Sequence, residues 1–423
     1  MMRYTRSSIL PGNTGGNFGL PFLFLALPVM DEPDYLQQLL NCLAVQSYRR
    51  FHLYVCVNQP ESWWESPEKI ASCENNSESL TLLNEFSEFE ITVIDRSSKG
   101  NGWTGKRHGV GYARKTVMDR INEDARPGDI MVSLDADTLF SENYLLSIAR
   151  NFSVHSDVSA LSVPYFHHVP SDPEAARAIL HYEIYMRYYF LNLARIGSPY
   201  AFTALGSAMA VPVSAYRATG GMTPKLSGED FYFLQKLRKY APVMLWNEEV
   251  VHPAARFSDR VFFGTGPAMI RGAGGDWSSY PLYPMALFND IRDAYDSLPV
   301  LFAAPADTKV GRFIAREFRE ADPFMPLRLN HKTLPGFIRA FHEKFDGLRI
   351  LQYLKAAWEE NPSGDENNLW KFLQWAYSTA ELEKLEIDPE TFSFSGSSID
   401  ELNRMRIFLY QKEMEVRLTA KPA

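Results

Sequence analysis

Ile130-Met131-Val132-Ser133-Leu134-Asp135-Ala136-Asp137-Thr138 is an apolar run that stops on two acids. A short run of this kind reads as a buried strand. Its two carboxylates, Asp135 and Asp137, are separated by one small residue. In an open α/β sheet, ligands bind at the carboxyl ends of the strands. Acids placed there are poor core material. They are good oxygen ligands for a hard divalent cation, which also holds phosphates. The plainer reading is a solvated turn after a strand, and the triplet alone leaves both open.

Working outward, residues 90–95 read as a preceding strand ending in Asp95. A Ser/Gly/Asn loop follows, then a basic helix carrying Lys106, Arg107, Arg114 and Lys115. Further upstream, residues 22–27 form a first strand that Pro28 stops. Pro33 opens a helix, with Asp31, Glu32 and Asp34 complementing its dipole. Leu36, Leu39, Leu40 and Leu43 give that helix one buried face. Residues 51–57 form a second strand, ended by Asn58-Gln59-Pro60, and residues 60–80 look polar and irregular.

Downstream, Ser141 is placed to cap a helix. Residues 158–163 read as a strand and 173–195 as a long aromatic-rich helix. A strand at 207–211, a short helix at 213–218, a helix at 230–240 and a strand at 243–251 follow. Gly264, Gly266, Gly272, Gly274 and Gly275 mark a segment expected to be flexible. Strands alternating with helices predict an α/β fold with a mostly parallel sheet flanked by helices. Beyond residue 300 the pattern is helical. Phe337, Phe341 and Phe345 keep helical spacing, and Ser398 with Glu401 makes a capping-box pattern. The organisation expected is a lead-in over 1–19, a sheet domain over 20–300 and a helical extension over 301–423. The apolar stripes of that extension need a partner, either the sheet domain or a second copy in a homo-oligomer.

The 423 residues are 46% hydrophobic and 22% charged, an ordinary globular composition. The net charge of −8 argues against nucleic acid as a partner. Three cysteines, an odd number without metal-ligand spacing, fit a reducing compartment. Residues 20–30 are apolar but too short to span a bilayer. A cytoplasmic protein without a transmembrane segment is expected.

Four features carry chemistry: the acid pair, Gly228-Glu229-Asp230 at a loop-to-helix junction, His252 followed by Pro253, and Arg256-Phe257-Ser258-Asp259-Arg260. With Leu27-Pro28 and Glu32, the run from Lys106 to Ala113 and the Gly220-Gly221 turn, they make the chain resemble a family 2 glycosyltransferase of GT-A type over residues 20–270. Val57-Asn58-Gln59-Pro60-Glu61 stands where that family has an acidic base-binding motif, so UDP-sugar and GDP-sugar donors both stay open.

The resemblance implies a GT-A sheet, a nucleotide-sugar donor, a carbohydrate or other hydroxyl acceptor, and Mn2+ or Mg2+. Asp137 would hold the metal, Asp135 would lie nearer the ribose, and His252 would be a further ligand. Pro28, Glu32, Asp95, Lys106, Arg107, Arg256 and Arg260 fall on the donor side. Arg256 and Arg260 would share a face if their segment were helical. Asp230 would be the general base of an inverting transfer. Glu229 would contact the acceptor or orient Asp230. A sugar nucleotidyltransferase would instead need a glycine-rich basic loop where Pro28-Val29-Met30-Asp31-Glu32 stands. A non-catalytic nucleotide-sugar-binding scaffold would have no need of all four acids.

Overall fold

Seven strands form the central sheet in the order β3-β2-β1-β4-β7-β6-β8. They are β1 (Leu23–Val29), β2 (Phe51–Asn58), β3 (Ile91–Arg96), β4 (Ile130–Ser133), β6 (Ala160–Ser162), β7 (Met209–Pro212) and β8 (Val243–Met244). A separate two-stranded ribbon pairs β5 (Thr138–Phe140) with β9 (Val251–Pro253). This computed structural model describes residues 19–226, 228–258 and 264–420.

β1 is buried along its whole length. Helices cover both faces of a parallel sheet, so its strands read as unbroken apolar runs. The side chains alternate. Phe24 and Ala26 join one apolar cluster with Ala113 and Val117, whereas Leu23, Leu25 and Leu27 join another with Leu36 and Leu40. The sheet is mixed: β1 pairs parallel with β2 and β4, while β7 runs antiparallel to β4 and β6. The chain steps outward from β1 through β2 to β3, then returns to lay β4 on the other side of β1. That reversal makes β1/β4 a topological switch point, where a crevice opens at the carboxyl ends of the strands.

Several helices match expectation. They include α1 (Pro33–Ala44) and α5 (Pro173–Arg195), the latter capped by the Asp172 side chain on the Ala175 N–H at 2.8 Å. α6 (Val213–Ala218) also falls where expected, and α7 (Glu229–Tyr240) starts one residue earlier. Others correct it. Residues 70–80, expected to be irregular, lie in α2 (Ile70–Glu85). Its buried stripe is Cys73, Asn76, Ser79 and Leu83. Three of those four are polar or small, so no apolar period marks the helix. Asp31 and Glu32 are not in the first turn of α1. Asp31 has φ 60 and accepts hydrogen bonds from Ser72 and Asn75, while Glu32 is the N-cap residue.

Ser141 does not cap α4 (Tyr144–Val154). Asn143 holds that position, and the Ser141 hydroxyl donates to Glu249 at 2.6 Å. Lys106 and Arg107 precede α3 (Val110–Asp124) as exposed loop residues. The strand expected over 243–251 is split between β8 and β9. The glycine-marked segment after 264 contains α8 (Thr265–Ala273).

Helices continue from Met285–Asp296 to a C-terminal helix, Ile399–Thr419, which starts with the expected Ser398/Glu401 capping box. No helix among the described residues is long and apolar enough to cross a membrane. The C-terminal helix packs on α5 through buried charges. Arg187 pairs with Glu183 at 2.8 Å and Glu413 at 2.6 Å, and Arg417 pairs with Glu413 at 2.7 Å. Their remaining N–H groups reach backbone carbonyls: Arg187 that of Tyr165, Arg417 those of Ser162 and Leu245. The helix thereby fastens the segment leaving β6. Removing Glu413 leaves the buried Arg417 without a carboxylate partner among the described residues and Arg187 with Glu183 alone. Glu413→Ala is expected to cost about 3–5 kcal/mol in denaturant unfolding. A loss below about 1 kcal/mol, the scale of a surface pair, would show that the cluster does not hold the helix.

Candidate active site

The crevice at the β1/β4 switch point is lined by Pro28 and Glu32 after β1, Asn58 at the end of β2, and Asp135 and Asp137 after β4. Gly206 and Ser207 line it from the chain entering β7, and Arg256, Ser258, Thr265 and Gly266 from beyond β9. The acid pair therefore sits where the sheet topology puts a ligand.

Asp135 faces Arg114, which projects from α3 and is 1% exposed. The guanidinium has five acceptors. Nη2 donates to Asp135 Oδ1 at 2.7 Å and Nε to Glu229 Oε1 at 3.2 Å. Nη1 donates to Ser133 Oγ at 2.7 Å and to the carbonyls of Leu134 and Gly206, both at 3.2 Å. Gly206 has to be glycine here, because a Cβ would stand 2.4 Å from Arg114 Nη2. One arginine thus joins the end of β4 to the start of α7.

Asp230 follows Glu229 in the first turn of α7 and accepts the Phe231 N–H at 2.7 Å. Burial and the neighbouring Glu229 carboxylate push its pKa up to about 7, against the lowering pull of the Phe231 N–H and Arg114. A carboxyl at that pKa can take up a proton near neutral pH, as a general base must.

Asp137 is held by Arg256, whose Nε and Nη2 donate to Asp137 Oδ2 at 3.1 and 2.7 Å. Nη2 also reaches Glu32, and the guanidinium lies 4.4 Å from the Tyr35 ring centroid. Burial and the Glu32 carboxylate raise the Asp137 pKa, and Arg256 opposes them. Arg256 lies in an irregular segment, not on the helix that would have paired it with Arg260, and Arg260 is outside the described residues.

Residues 21–239, just over half of the chain, match the family model described as glycosyltransferase like family 2. The chain belongs to that family. It is a glycosyltransferase. No curated protein matches it. Similar solved structures include residues 1–349 of TarS from S. aureus in complex with UDP-GlcNAc, at 12% identity and TM-score 0.38, covering 94% of this chain and 92% of that one. Another is the mannosyltransferase PcManGT from Pyrobaculum calidifontis in complex with GDP-Man and Mn2+, at 13% identity and TM-score 0.37, covering 94% and 87%.

Within this transferase, Pro28, Glu32, Asp135, Asp137 and Arg256 share one pocket wall; Glu229 is tied to Asp135 through Arg114, and Asp230 is the next residue of α7. Others stand apart. Asp95 turns the loop after β3: burial alone would raise its pKa, but the N–H groups of Ser98 and Ser97 bring it down to about 2. Lys106 and Arg107 are exposed. His252 donates from Nδ1 to the Phe166 carbonyl at 2.8 Å and stacks on His168, with ring centroids 4.6 Å apart. Among the described residues, no three His, Cys, Asp or Glu side chains close on one metal position.

Arg114 is the residue that sequence reading left among the basic helix positions. A signal existed. Arg114, Met118 and Ile121 follow helical spacing and are all buried, so the arginine stands on the apolar stripe of α3. Buried arginines need partners. Arg114→Lys keeps the charge but cannot span five acceptors. Leaving buried acceptors unpaired costs about 1–3 kcal/mol. Thermal unfolding of Arg114→Lys is expected to show that loss, and an unchanged melting temperature would remove Arg114 from this bridging role.

Proposed function

We propose that this glycosyltransferase moves a sugar from a UDP- or GDP-sugar to an acceptor hydroxyl, with a divalent cation and with inversion at the anomeric carbon. The observation that carries this reading is the continuous link Asp135–Arg114–Glu229 leading to Asp230. It ties a donor-side acid to a carboxyl poised for proton transfer.

The donor set suits Mn2+ or Mg2+. Asp135, Asp137 and Glu32 offer carboxylate oxygens in one pocket. Mg2+ is commonly bound by one or two carboxylates together with substrate phosphates, without a closed protein cage. His252 is our candidate further ligand on its tautomer: with Nδ1–H given to a carbonyl, Nε2 carries the lone pair that a ligand needs. A bound cation would stabilise negative charge on the departing diphosphate.

The other roles belong to this chain's own residues. Asp230 takes the proton of the acceptor hydroxyl as its oxygen attacks the anomeric carbon. The bond to the diphosphate breaks on the opposite face. Glu229, held by Arg114, fixes the helix turn that carries Asp230. The first turn of α8 presents Thr265 and Gly266 to the pocket, and helix N-termini favour phosphate. Lys106, Arg107 and Arg260 remain candidates for donor contacts from outside the pocket wall. The three free cysteines fit a reducing compartment, and we place the reaction in the cytoplasm.

Asp230→Asn keeps the shape and removes the base. Transfer is expected to fall by about 10²-fold or more with donor affinity little changed. Below pH 7 the wild-type carboxyl already carries the proton it should accept, so kcat/KM should fall as pH drops through about 7. The Asn variant should lose that acid limb. Wild-type turnover by Asp230→Asn would reject Asp230 as base and point to Glu229.

A further inference from the structure

We propose that Arg256 is a displaceable internal cation: it holds the place at Asp137 that a divalent ion takes, the ion must displace it to bind, and the released guanidinium then meets the donor's diphosphate. This rests on the metal-dependent reading above.

The geometry is that of a competitor. Arg256 spends two N–H groups on the single oxygen Asp137 Oδ2, at 3.1 and 2.7 Å. An ion approaching that oxygen meets the guanidinium first. Glu32, at the start of α1, is gripped by the same Nη2. One side chain thus neutralises acids from two separate elements. Tyr35 supplies a ring face beneath the cation.

The side chain can leave while its root stays. The Ala254 N–H donates to the Asp137 carbonyl at 2.9 Å, which anchors the chain two residues before Arg256. From there to Ser258 the backbone has no regular structure, and the Arg256 side chain is 23% exposed. Arg114 has no such freedom, because it is buried among five acceptors.

Charge gives the order of events. Glu32, Asp135, Asp137, Glu229 and Asp230 are five carboxyl groups around Arg114 and Arg256. A diphosphate entering this pocket meets excess negative charge. An ion at Asp137 removes part of that excess and frees a guanidinium in the same wall as Ser258, Thr265 and Gly266. Guanidinium groups bind phosphate oxygens through paired N–H donors, which a lysine would not reproduce. Metal binding and diphosphate binding are therefore coupled through one side chain.

The test titrates Mn2+ alone into the full-length protein, following free Mn2+ by electron paramagnetic resonance. Arg256→Ala should bind Mn2+ about tenfold more tightly than wild type, since no charged hydrogen bond has to be broken. At saturating Mn2+, the same variant should bind UDP or GDP about tenfold more weakly. Arg256→Gln should repeat both shifts, which guards against a folding defect peculiar to the alanine variant. If wild type binds Mn2+ and neither variant binds it more tightly, the displacement is overturned while the metal-dependent reading stands. If no form binds Mn2+, with or without UDP or GDP, that reading falls and the inference with it.

Discussion

Arg114 is the constraint on which the site depends. It is buried, always charged and five-fold hydrogen-bonded, and its two carboxylate partners come from separate elements. Asp135 follows β4, and Glu229 begins α7. Neither acid can move far without leaving a buried guanidinium short of countercharge, and that penalty is several kcal/mol. The distance between Asp135 and Glu229 is thus set by one planar ion with fixed fork geometry. Close packing protects the arrangement. Gly206 leaves room for the guanidinium, and at Gly111 a Cβ would stand 2.1 Å from the Lys225 carbonyl, so α3 lies directly against the chain approaching α7.

The second arginine of the site works differently. Arg256 is partly exposed, sits on an irregular segment and satisfies acids whose charges would otherwise repel one another. One guanidinium is structural and the other replaceable, and burial separates the two roles. Beneath both lies the sheet reversal that brings the carboxyl ends of β1 and β4 side by side. The C-terminal helix adds a further clamp. Through Arg187, Glu413 and Arg417 it fixes the segment leaving β6, and the Phe166 carbonyl in that segment orients His252.

Much of this was legible before any coordinates. The apolar run ending in Asp135 and Asp137 identified the central strand, and Pro173 marked the start of α5 to the residue. Glu229 and Asp230 were placed correctly at a helix start. The misses share one cause: polar side chains doing buried work. α2 buries Asn76 and Ser79, so it lacks the apolar period of a packed helix. Arg114 looked like one basic residue among four, although its neighbours' spacing put it on the buried stripe. The Arg256 contacts join residues 119 and 224 positions apart in the chain, and no local pattern reports those. Ser141 misled because α4 starts later than its spacing suggests: the hydroxyl accepts the Asn143 N–H and donates to Glu249 in the turn before the helix, and Asn143 takes the cap position.

We propose above all that this crevice binds a nucleotide sugar through a cation at Asp137. A thermal-shift panel of UDP- and GDP-sugars, with and without Mn2+, addresses it directly, because a ligand that binds only the folded state raises the melting temperature by mass action. At least one donor is predicted to raise the melting temperature of the wild type only when Mn2+ is present, and none should do so for Asp137→Ala. An equal shift without the metal, or an undiminished shift in Asp137→Ala, would contradict it.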